Sequence, residues 1–181
     1  MPLLIHIPSP TLDQKTRPAA HLTRLAAIIQ GHGAATSTPP GVTPILIKTA
    51  QSRQELRRAL QNGADILYLF AHSTQRGLVF PDETTANGPD FASLLPARLS
   101  RRPQLIFFNT CYAASNGLAQ SALDAGVKKV IAPNESIPLQ HITGYAETFF
   151  ERYVETRSKQ QALHTANRQY EENGIKFHLL K

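Results

Sequence analysis

Short apolar runs alternate with amphipathic segments along most of this chain of 181 residues. The runs predict β-strands at residues 3–7, 45–47, 66–70, 105–108 and 130–131, with further strands near 78–80 and 175–180. The runs at 66–70 and 105–108 are apolar throughout, which is typical of strands that are buried on both faces of a parallel sheet.

The segments between the strands carry apolar residues at helical spacing. They predict helices at residues 12–30, 52–62, 115–124, 142–154 and 158–170. Ser52 with Glu55 and Ser158 with Gln161 form capping-box patterns, which mark the starts of two of these helices. Residues 73–103 are rich in Pro, Asp, Asn and Gly, and they predict mostly loop with a helical turn near 91–95.

The alternation of strands and helices predicts an α/β fold with a mostly parallel sheet. No internal repeat and no second domain are apparent, so residues 1–181 are interpreted as one domain. In sheets of this kind, sites form at the carboxyl ends of the strands. Residues that directly follow a strand are therefore the first candidates for chemistry.

Two such residues form the strongest candidate site. His72 follows the run at 66–70, and Cys111 follows the run at 105–108 and precedes a predicted helix. If these strands are neighbours, both side chains emerge on one edge, where an imidazole and a helix N-terminus would favour the thiolate. The pattern predicts a Cys/His dyad in which His72 protonates the leaving amine. The alternative is that Cys111 is a small buried hydrophobe and His72 a surface residue.

Composition restricts the other possibilities. Cys111 is the only cysteine, so no internal disulfide forms and a single thiol is available. The net charge is +6, but the basic residues form scattered pairs and no long run, so we do not expect direct nucleic-acid binding. A nucleic-acid-binding domain is the alternative that this charge suggests. No apolar stretch is long enough for a membrane span and residues 1–10 lack a signal-peptide pattern, so a cytoplasmic location without membrane partners is expected.

Three segments together resemble a known family. They are residues 67–73 (LYLFAHS), 105–113 (LIFFNTCYA) and 118–131 (LAQSALDAGVKKVI), and they resemble the CHAT branch of the caspase-like cysteine peptidases, the clan of caspases, gingipains and separases. In that family one apolar strand ends in a catalytic His and the next ends in a catalytic Cys. The resemblance spans roughly residues 45–180. It implies a three-layer caspase-like sandwich, with a mostly parallel sheet of about six strands and helices on both faces.

The resemblance also implies roles for individual residues. Cys111 would be the nucleophile and His72 the general acid/base of a cysteine endopeptidase, with the backbone N–H groups of Ser73 and Cys111 as the oxyanion hole. The family usually has Gly where this chain has Ser73. A catalytically weak or inactive interaction module with the same fold is therefore the alternative function.

Small domains of this type resemble regulated proteolytic effectors of bacterial defence or signalling systems. The expected partners are a protein substrate and a regulatory or sensor protein that releases the activity. Peptidases of this clan select the residue before the scissile bond, and an acidic pocket would select Arg or Lys. Rim loops offer acidic candidates at Glu135, Asp82, Asp90 and Glu83, and a basic one at Arg76.

The remaining histidines and Asn109 are weaker candidates for a role in catalysis or metal binding. Gly31-His32-Gly33 resembles the family's His-Gly motif, but it follows an amphipathic helix, so His32 is not the favoured catalytic histidine. Asn109 precedes the nucleophile and either supports its loop by hydrogen bonds or is an ordinary polar residue at a strand end. No metal or other cofactor is expected, because the remaining histidines have no clustered partners: His6, His21, His141, His164 and His178.

Overall fold

The computed structural model describes residues 1–31 and 44–181. Its strands are β1 (Pro2–His6), β2 (Leu46–Thr49), β3 (Ile66–Phe70), β4 (Ser73–Thr74), β5 (Gly77–Val79), β6 (Thr85–Ala86), β7 (Leu105–Asn109), β8 (Val130–Pro133) and β9 (Phe177–Leu180). Its α-helices are α1 (Pro10–Thr16), α2 (Pro18–Ile29), α3 (Arg53–Leu60), α4 (Gly88–Leu94), α5 (Leu118–Asp124), α6 (Leu139–Thr156) and α7 (Lys159–Gln169). Single 3₁₀ turns cover Leu99–Arg101 and Glu171–Asn173.

Within the described residues, the main sheet has six strands in the order β2-β1-β3-β7-β8-β9. All neighbouring pairs are parallel except β8 and β9, which are antiparallel. Alternate side chains of β3 enter different cores: Leu67 and Leu69 face α3, α4 and α5, whereas Tyr68 and Phe70 face α1, α2, α6 and α7. The structure therefore confirms the predicted three-layer α/β sandwich.

Helix α6 supplies most of the core on its side of the sheet. Its buried residues are Ile142, Tyr145, Ala146, Phe149 and Phe150, which recur at helical spacing as predicted. The helix is longer than the predicted stripe because it begins directly after Pro138 and ends at Arg157, whose φ of 56° is left-handed. In the part of the chain that the structure describes, no helix combines the length and apolar character needed to cross a membrane.

The prediction of one helix over 12–30 was wrong. The structure breaks it at Arg17, which has φ 46° and ends α1, and Pro18 then opens α2. A residue before proline is sterically disfavoured in the α region, and proline is tolerated in the first turn of a helix. The helical spacing of the apolar residues continues across this break, so periodicity alone did not reveal it.

Residues 73–103 contain more structure than predicted. Strands β4, β5 and β6 form a small antiparallel sheet, and a capping box between Asn87 and Asp90 then starts α4. Gly77 is required in this sheet, because a Cβ at its position would lie 2.1 Å from the carbonyl oxygen of Ala86. This small sheet begins at Ser73, directly after His72, and it therefore forms one wall of the candidate site.

Candidate active site

The register of the sheet brings His72 and Cys111 to the same place. Strands β3 and β7 are parallel neighbours, and Phe70 pairs with Asn109. His72 and Cys111 each lie two residues beyond this pair, at the carboxyl edge. Both line a cleft of about 620 Å³ that also contacts β4, β5 and Ser136.

The thiol of Cys111 has its described polar contacts on the loop between β8 and α6. The backbone N–H of Ile137 donates to Sγ at 3.3 Å, and the hydroxyl oxygen of Ser136 lies 3.8 Å from Sγ. The sequence reasoning missed these two residues, although they follow the next strand along the same edge.

The helix predicted at residues 115–124 is present, but it begins later than predicted and farther from Cys111. The residues after Cys111 form turns, and α5 starts only at Leu118. Tyr112 has φ 58°, and its N–H donates to the carbonyl of Glu135 at 3.1 Å. The N–H of Ala114 donates to the carbonyl of Pro133 at 2.9 Å. These bonds hold the turn after Cys111 against the β8–α6 loop, the same loop whose Ile137 N–H donates to the sulfur.

The Ser73 side chain connects the two halves of the site. Its hydroxyl accepts a hydrogen bond from the Thr110 hydroxyl at 2.6 Å and donates to the carbonyl of Cys111. Ser73 is only 2% exposed. The Ser73 side chain thus links the residue after His72 to the backbone of Cys111. Glycine has no side chain and could not form this link.

The direction of the Ser73 backbone is compatible with its predicted oxyanion role. Ser73 lies opposite Leu78 in the β4–β5 pair, while the Val79 N–H donates to the His72 carbonyl at 3.0 Å. Since hydrogen-bonded and non-bonded pairs alternate in an antiparallel ladder, the Ser73 N–H points away from β5. Together with the N–H of Cys111, it remains the predicted pair of oxyanion donors.

Substituting Ser73 by alanine tests the bridge, because alanine keeps the Cβ and removes only the hydroxyl. We expect the free energy of unfolding to fall by about 1–3 kcal/mol, since the Thr110 hydroxyl and the Cys111 carbonyl lose a buried partner. Urea denaturation followed by circular dichroism measures this change. Ser93→Ala, at an exposed serine of α4, is the matched control and should change stability by less than about 0.5 kcal/mol. Equal stability of the two variants would contradict the bridge.

Asn109 belongs to a buried polar network behind the cleft. Its side-chain amide donates to the Tyr68 hydroxyl at 2.6 Å and to the carbonyl of Ile142 at 2.9 Å. The Tyr68 hydroxyl lies 2.7 Å from His21, which in turn lies 3.1 Å from Glu147. Burial raises the pKa of Tyr68 well above its usual value, so the hydroxyl stays neutral. Asn109 therefore fixes the end of β7 to α6, and not the loop beyond it.

A second cavity of about 880 Å³ adjoins the cleft, and Ser136 lines both. Its walls come from the β8–α6 loop, α7 and β9. Glu135 lines this cavity, and the side-chain amide of Asn134 lies 3.0 Å from Nε2 of His178. The two cavities together form an extended depression along the carboxyl edge.

The burial of His178 beside Lys176 predicts a pH dependence of stability. Burial, followed by the nearby charge of Lys176, lowers the pKa of His178 below 6.5. The unfolded chain therefore takes up this proton first, so the stabilising contribution is complete above about pH 6.5 and is lost as the pH falls below it. Burial lowers the pKa of His6 too, which acts in the same direction.

Comparing wild type with His178→Gln isolates the contribution of this histidine. We expect the wild type to lose more unfolding free energy than the variant between about pH 7.5 and pH 5.5, measured by urea denaturation at each pH. The contribution of His6 remains in both proteins and cancels. The same loss in both would show that His178 does not titrate in this way.

Two of the other acidic pocket candidates, Asp82 and Asp90, do not line the cleft. The exposed carboxylate of Asp82 accepts hydrogen bonds from the hydroxyl and N–H of Thr84 at 2.6 and 3.1 Å, which lower the pKa of Asp82. Asp90 caps α4 and pairs with Arg53 at 3.3 Å. Neither residue lines the two cavities described above, whereas Arg76 lines the cleft itself.

Two further predictions concern the Gly31-His32-Gly33 motif and the binding of a metal ion. His32 of the Gly31-His32-Gly33 motif lies outside the described residues. Among residues 1–31 and 44–181, no group of His, Cys, Asp and Glu side chains is arranged to hold a metal ion.

Comparisons with known proteins give one family and several similar folds. The family model described as "CHAT domain" matches residues 10–178. A secreted C11 cysteine protease from Bacteroides thetaiotaomicron, solved in complex with an irreversible peptide inhibitor, is 13% identical with a TM-score of 0.63, covering 94% of this chain and 58% of that one. The Arg-specific cysteine proteinase gingipain R is 14% identical with a TM-score of 0.65, covering 95% and 43%.

The complex of the pro- and mature domains of RgpB from Porphyromonas gingivalis gives a similar result, with 14% identity, a TM-score of 0.64 and coverage of 96% and 44%. At these identities the likeness concerns the fold. The chain spans about half the length of the solved structures that it matches. No curated protein matches it.

Proposed function

This chain belongs to the CHAT domain family, and on that premise we propose that it is a cysteine endopeptidase with Cys111 as nucleophile and His72 as proton carrier. The observation that carries the proposal is the register of β3 and β7. His72 and Cys111 each follow the paired residues Phe70 and Asn109 by two positions, so both lie at the same edge of the sheet. Cysteine proteases with the same fold make peptide hydrolysis the reaction to test first.

In the proposed reaction, the thiolate of Cys111 attacks the carbonyl carbon of a peptide bond. The developing oxyanion accepts hydrogen bonds from the N–H groups of Cys111 and Ser73. His72 donates its proton to the leaving amine as the C–N bond breaks, which leaves a thioester on Cys111. Water then attacks the thioester with His72 as general base, releasing the acid and restoring the thiol.

The environment of the sulfur supports this role. The N–H of Ile137 donates to Sγ, and the Cys111 side chain is only partly buried, so a substrate can reach it. His72 is exposed on the other side of the same cleft. The described hydrogen bonds of Sγ go to Ser136 and Ile137 and not to His72, so we propose that the thiol turns toward the imidazole when substrate binds.

We propose that selectivity depends on the charged side chains nearest the cleft. Glu135, which lines the adjoining cavity, would favour Arg or Lys before the scissile bond, whereas Arg76, which lines the cleft, would favour Asp or Glu. Asp82 and Asp90 are less favoured, because their carboxylates are bonded to Thr84 and Arg53.

The proposed biological setting is a regulated effector of a bacterial defence or signalling system that acts in the cytoplasm. It would cleave a specific protein substrate and would be released by a regulatory or sensor protein. The family relationship supports this setting by analogy.

The second candidate is an interaction module with the same fold and no turnover. Two observations favour it: Ser73 stands where the family usually has Gly, and the sulfur's described contacts are with the β8–α6 loop. The buried Ser73 bridge argues for a rigid site and against a decayed one, because every hydroxyl in it has a partner.

A peptide library distinguishes the two candidates. The protein is incubated with peptides derived from a bacterial proteome, and new termini are identified by mass spectrometry. A peptidase produces termini with a common residue before the cut, and these termini are absent with Cys111→Ala. An interaction module produces none, and termini that persist with Cys111→Ala indicate a contaminating protease.

A further inference from the structure

Three basic pairs lie at the amino-terminal edge of the sheet, at the opposite end of the strands from the cleft. Three turns that lead into parallel strands each carry a basic pair: Arg57-Arg58 in the last turn of α3 before β3, Arg101-Arg102 before β7 and Lys128-Lys129 before β8. Since β3, β7 and β8 are parallel neighbours in the sheet, the turns before them lie side by side. Pairs that are scattered in the sequence are therefore neighbours in space.

Close contacts between these turns bear this out. A Cβ built on Gly63, directly after α3, would lie 2.9 Å from the carbonyl oxygen of Arg101. A Cβ built on Gly126 would lie 2.9 Å from Leu99 Cδ2 and 3.4 Å from an Nη atom of Arg102. The turns before β3, β7 and β8 thus form one continuous surface.

Two carboxylates lie near this surface, and each has a partner other than the basic pairs. Asp65 forms an ion pair with the amino group of Met1, and Asp124 accepts a hydrogen bond from Gln120 at 2.8 Å. Among the described ion pairs, none involves the exposed cations of this edge. These cations are Arg57, Arg58, Arg98, Arg101 and Lys128.

An apolar side chain lies among these cations. Leu99 is 66% exposed, between Arg98 and the Arg101-Arg102 pair. A single exposed leucine is ordinary on a protein surface, but this one is flanked in the sequence by the exposed Arg98 and Arg101, so the surface offers both positive charge and an apolar contact. The glutamates of α6, Glu151 and Glu155, do not neutralise it, since α6 packs on the other face of the sheet.

We propose that this basic edge, formed by the five exposed cations around Leu99, docks an acidic segment of a partner protein that places an apolar side chain on Leu99. Opposite charge would attract and orient the segment, and the leucine contact would add apolar burial at its centre. Within the described residues, the turns of the edge contain no aromatic side chain on which a nucleobase could stack, which favours a protein over a single-stranded nucleic acid.

The position of the basic edge separates it from the chemistry. Cys111 and His72 lie at the carboxyl ends of the strands, so a segment bound at the amino-terminal ends leaves the cleft open. The partner is therefore a protein that anchors or regulates the domain. It binds outside the cleft and not as a substrate. This inference does not depend on whether the cleft is catalytic.

Fluorescence anisotropy with defined probes tests the docking surface. The probes are a labelled 16-residue peptide of Glu and Asp with one central Leu, the same peptide with Ser in place of Leu, and an oligothymidylate of equal charge. They are titrated with the full chain carrying Cys111→Ala, so that no probe is cleaved.

The edge variants are Arg101→Glu with Lys128→Glu, Arg98→Glu alone, and Leu99→Ser. Lys15→Glu with Lys48→Glu, at exposed lysines away from the edge, is the control of equal charge change.

We expect the double edge variant to weaken binding of the Leu peptide at least about tenfold and the lysine control to weaken it less than about threefold. Leu99→Ser should cost about fivefold with the Leu peptide and nothing with the Ser peptide. Thermal unfolding shows whether each variant is folded, and Arg98→Glu replaces the double variant if that one is not. Equal losses in edge and control variants, indifference to Leu99, absence of binding, or tighter binding of the oligothymidylate would each overturn the proposal.

Discussion

Replacing Cys111 by alanine is expected to lower the rate of peptide cleavage by at least about 10³-fold, because the chain has no other thiol to form the covalent intermediate. The loss should appear in kcat, since the side chain lies at the edge of the cleft and contributes little to ground-state binding. Initial rates with a fluorogenic peptide chosen from the library result measure it directly.

The matched control for this substitution is Ser136→Ala. It removes the hydroxyl that lies 3.8 Å from the sulfur but leaves the sulfur and the Ile137 N–H in place. We expect its rate to fall by less than about tenfold. If Cys111→Ala retained activity comparable to that of Ser136→Ala, Cys111 would not be the nucleophile.

Replacing His72 by alanine is expected to lower kcat/KM by about 10²- to 10⁴-fold, the usual contribution of a positioned general acid/base. The side chain is exposed, so the substitution should leave the free energy of unfolding nearly unchanged. Because removing the ring opens space in a solvent-accessible cleft, added imidazole should restore part of the rate of the variant.

His141→Ala is the control, because His141 lies on α6 away from the cleft and should tolerate the change. Activity is measured with and without imidazole, and stability is measured by urea denaturation. A loss of activity accompanied by an equal loss in stability, without rescue by imidazole, would assign a structural role to His72. An unchanged rate would exclude it from the reaction.

The fold could be predicted from the sequence where local pattern and burial agree. The runs at 66–70 and 105–108 are apolar at every position because both faces of the sheet are covered, so they could be predicted as strands, and only Asn109 at the end of β7 falls outside them. The same logic located His72 and Cys111, since residues that follow adjacent parallel strands share an edge.

Predictions failed where a single residue or hydrogen bonds to distant residues override the local pattern. The break at Arg17 depends on Pro18, while the apolar spacing continues through it. The late start of α5 depends on the turns after Cys111, which are held by hydrogen bonds to Pro133 and Glu135, distant in sequence. Such long-range bonds leave no local signal.

Long-range contacts also explain why the hydrogen bond to the Cys111 sulfur and the basic edge could not be predicted from the sequence. Ile137 donates to the sulfur only because β8 lies beside β7, and the basic pairs become one surface only because their strands are neighbours. The role of Ser73 was likewise hidden, since its hydroxyl acts on Thr110 and Cys111, nearly 40 residues away.

Alkylation of the single thiol tests most directly whether Cys111 is an activated nucleophile. The chain is treated with limiting iodoacetamide near pH 6.5, where an ordinary thiol is mostly protonated, in the folded state and in concentrated urea. Intact mass spectrometry follows the adduct over time. We expect the folded chain to react faster than the unfolded one, and His72→Ala to remove part of this difference. A folded thiol that reacts no faster than the unfolded thiol would contradict the proposed active site.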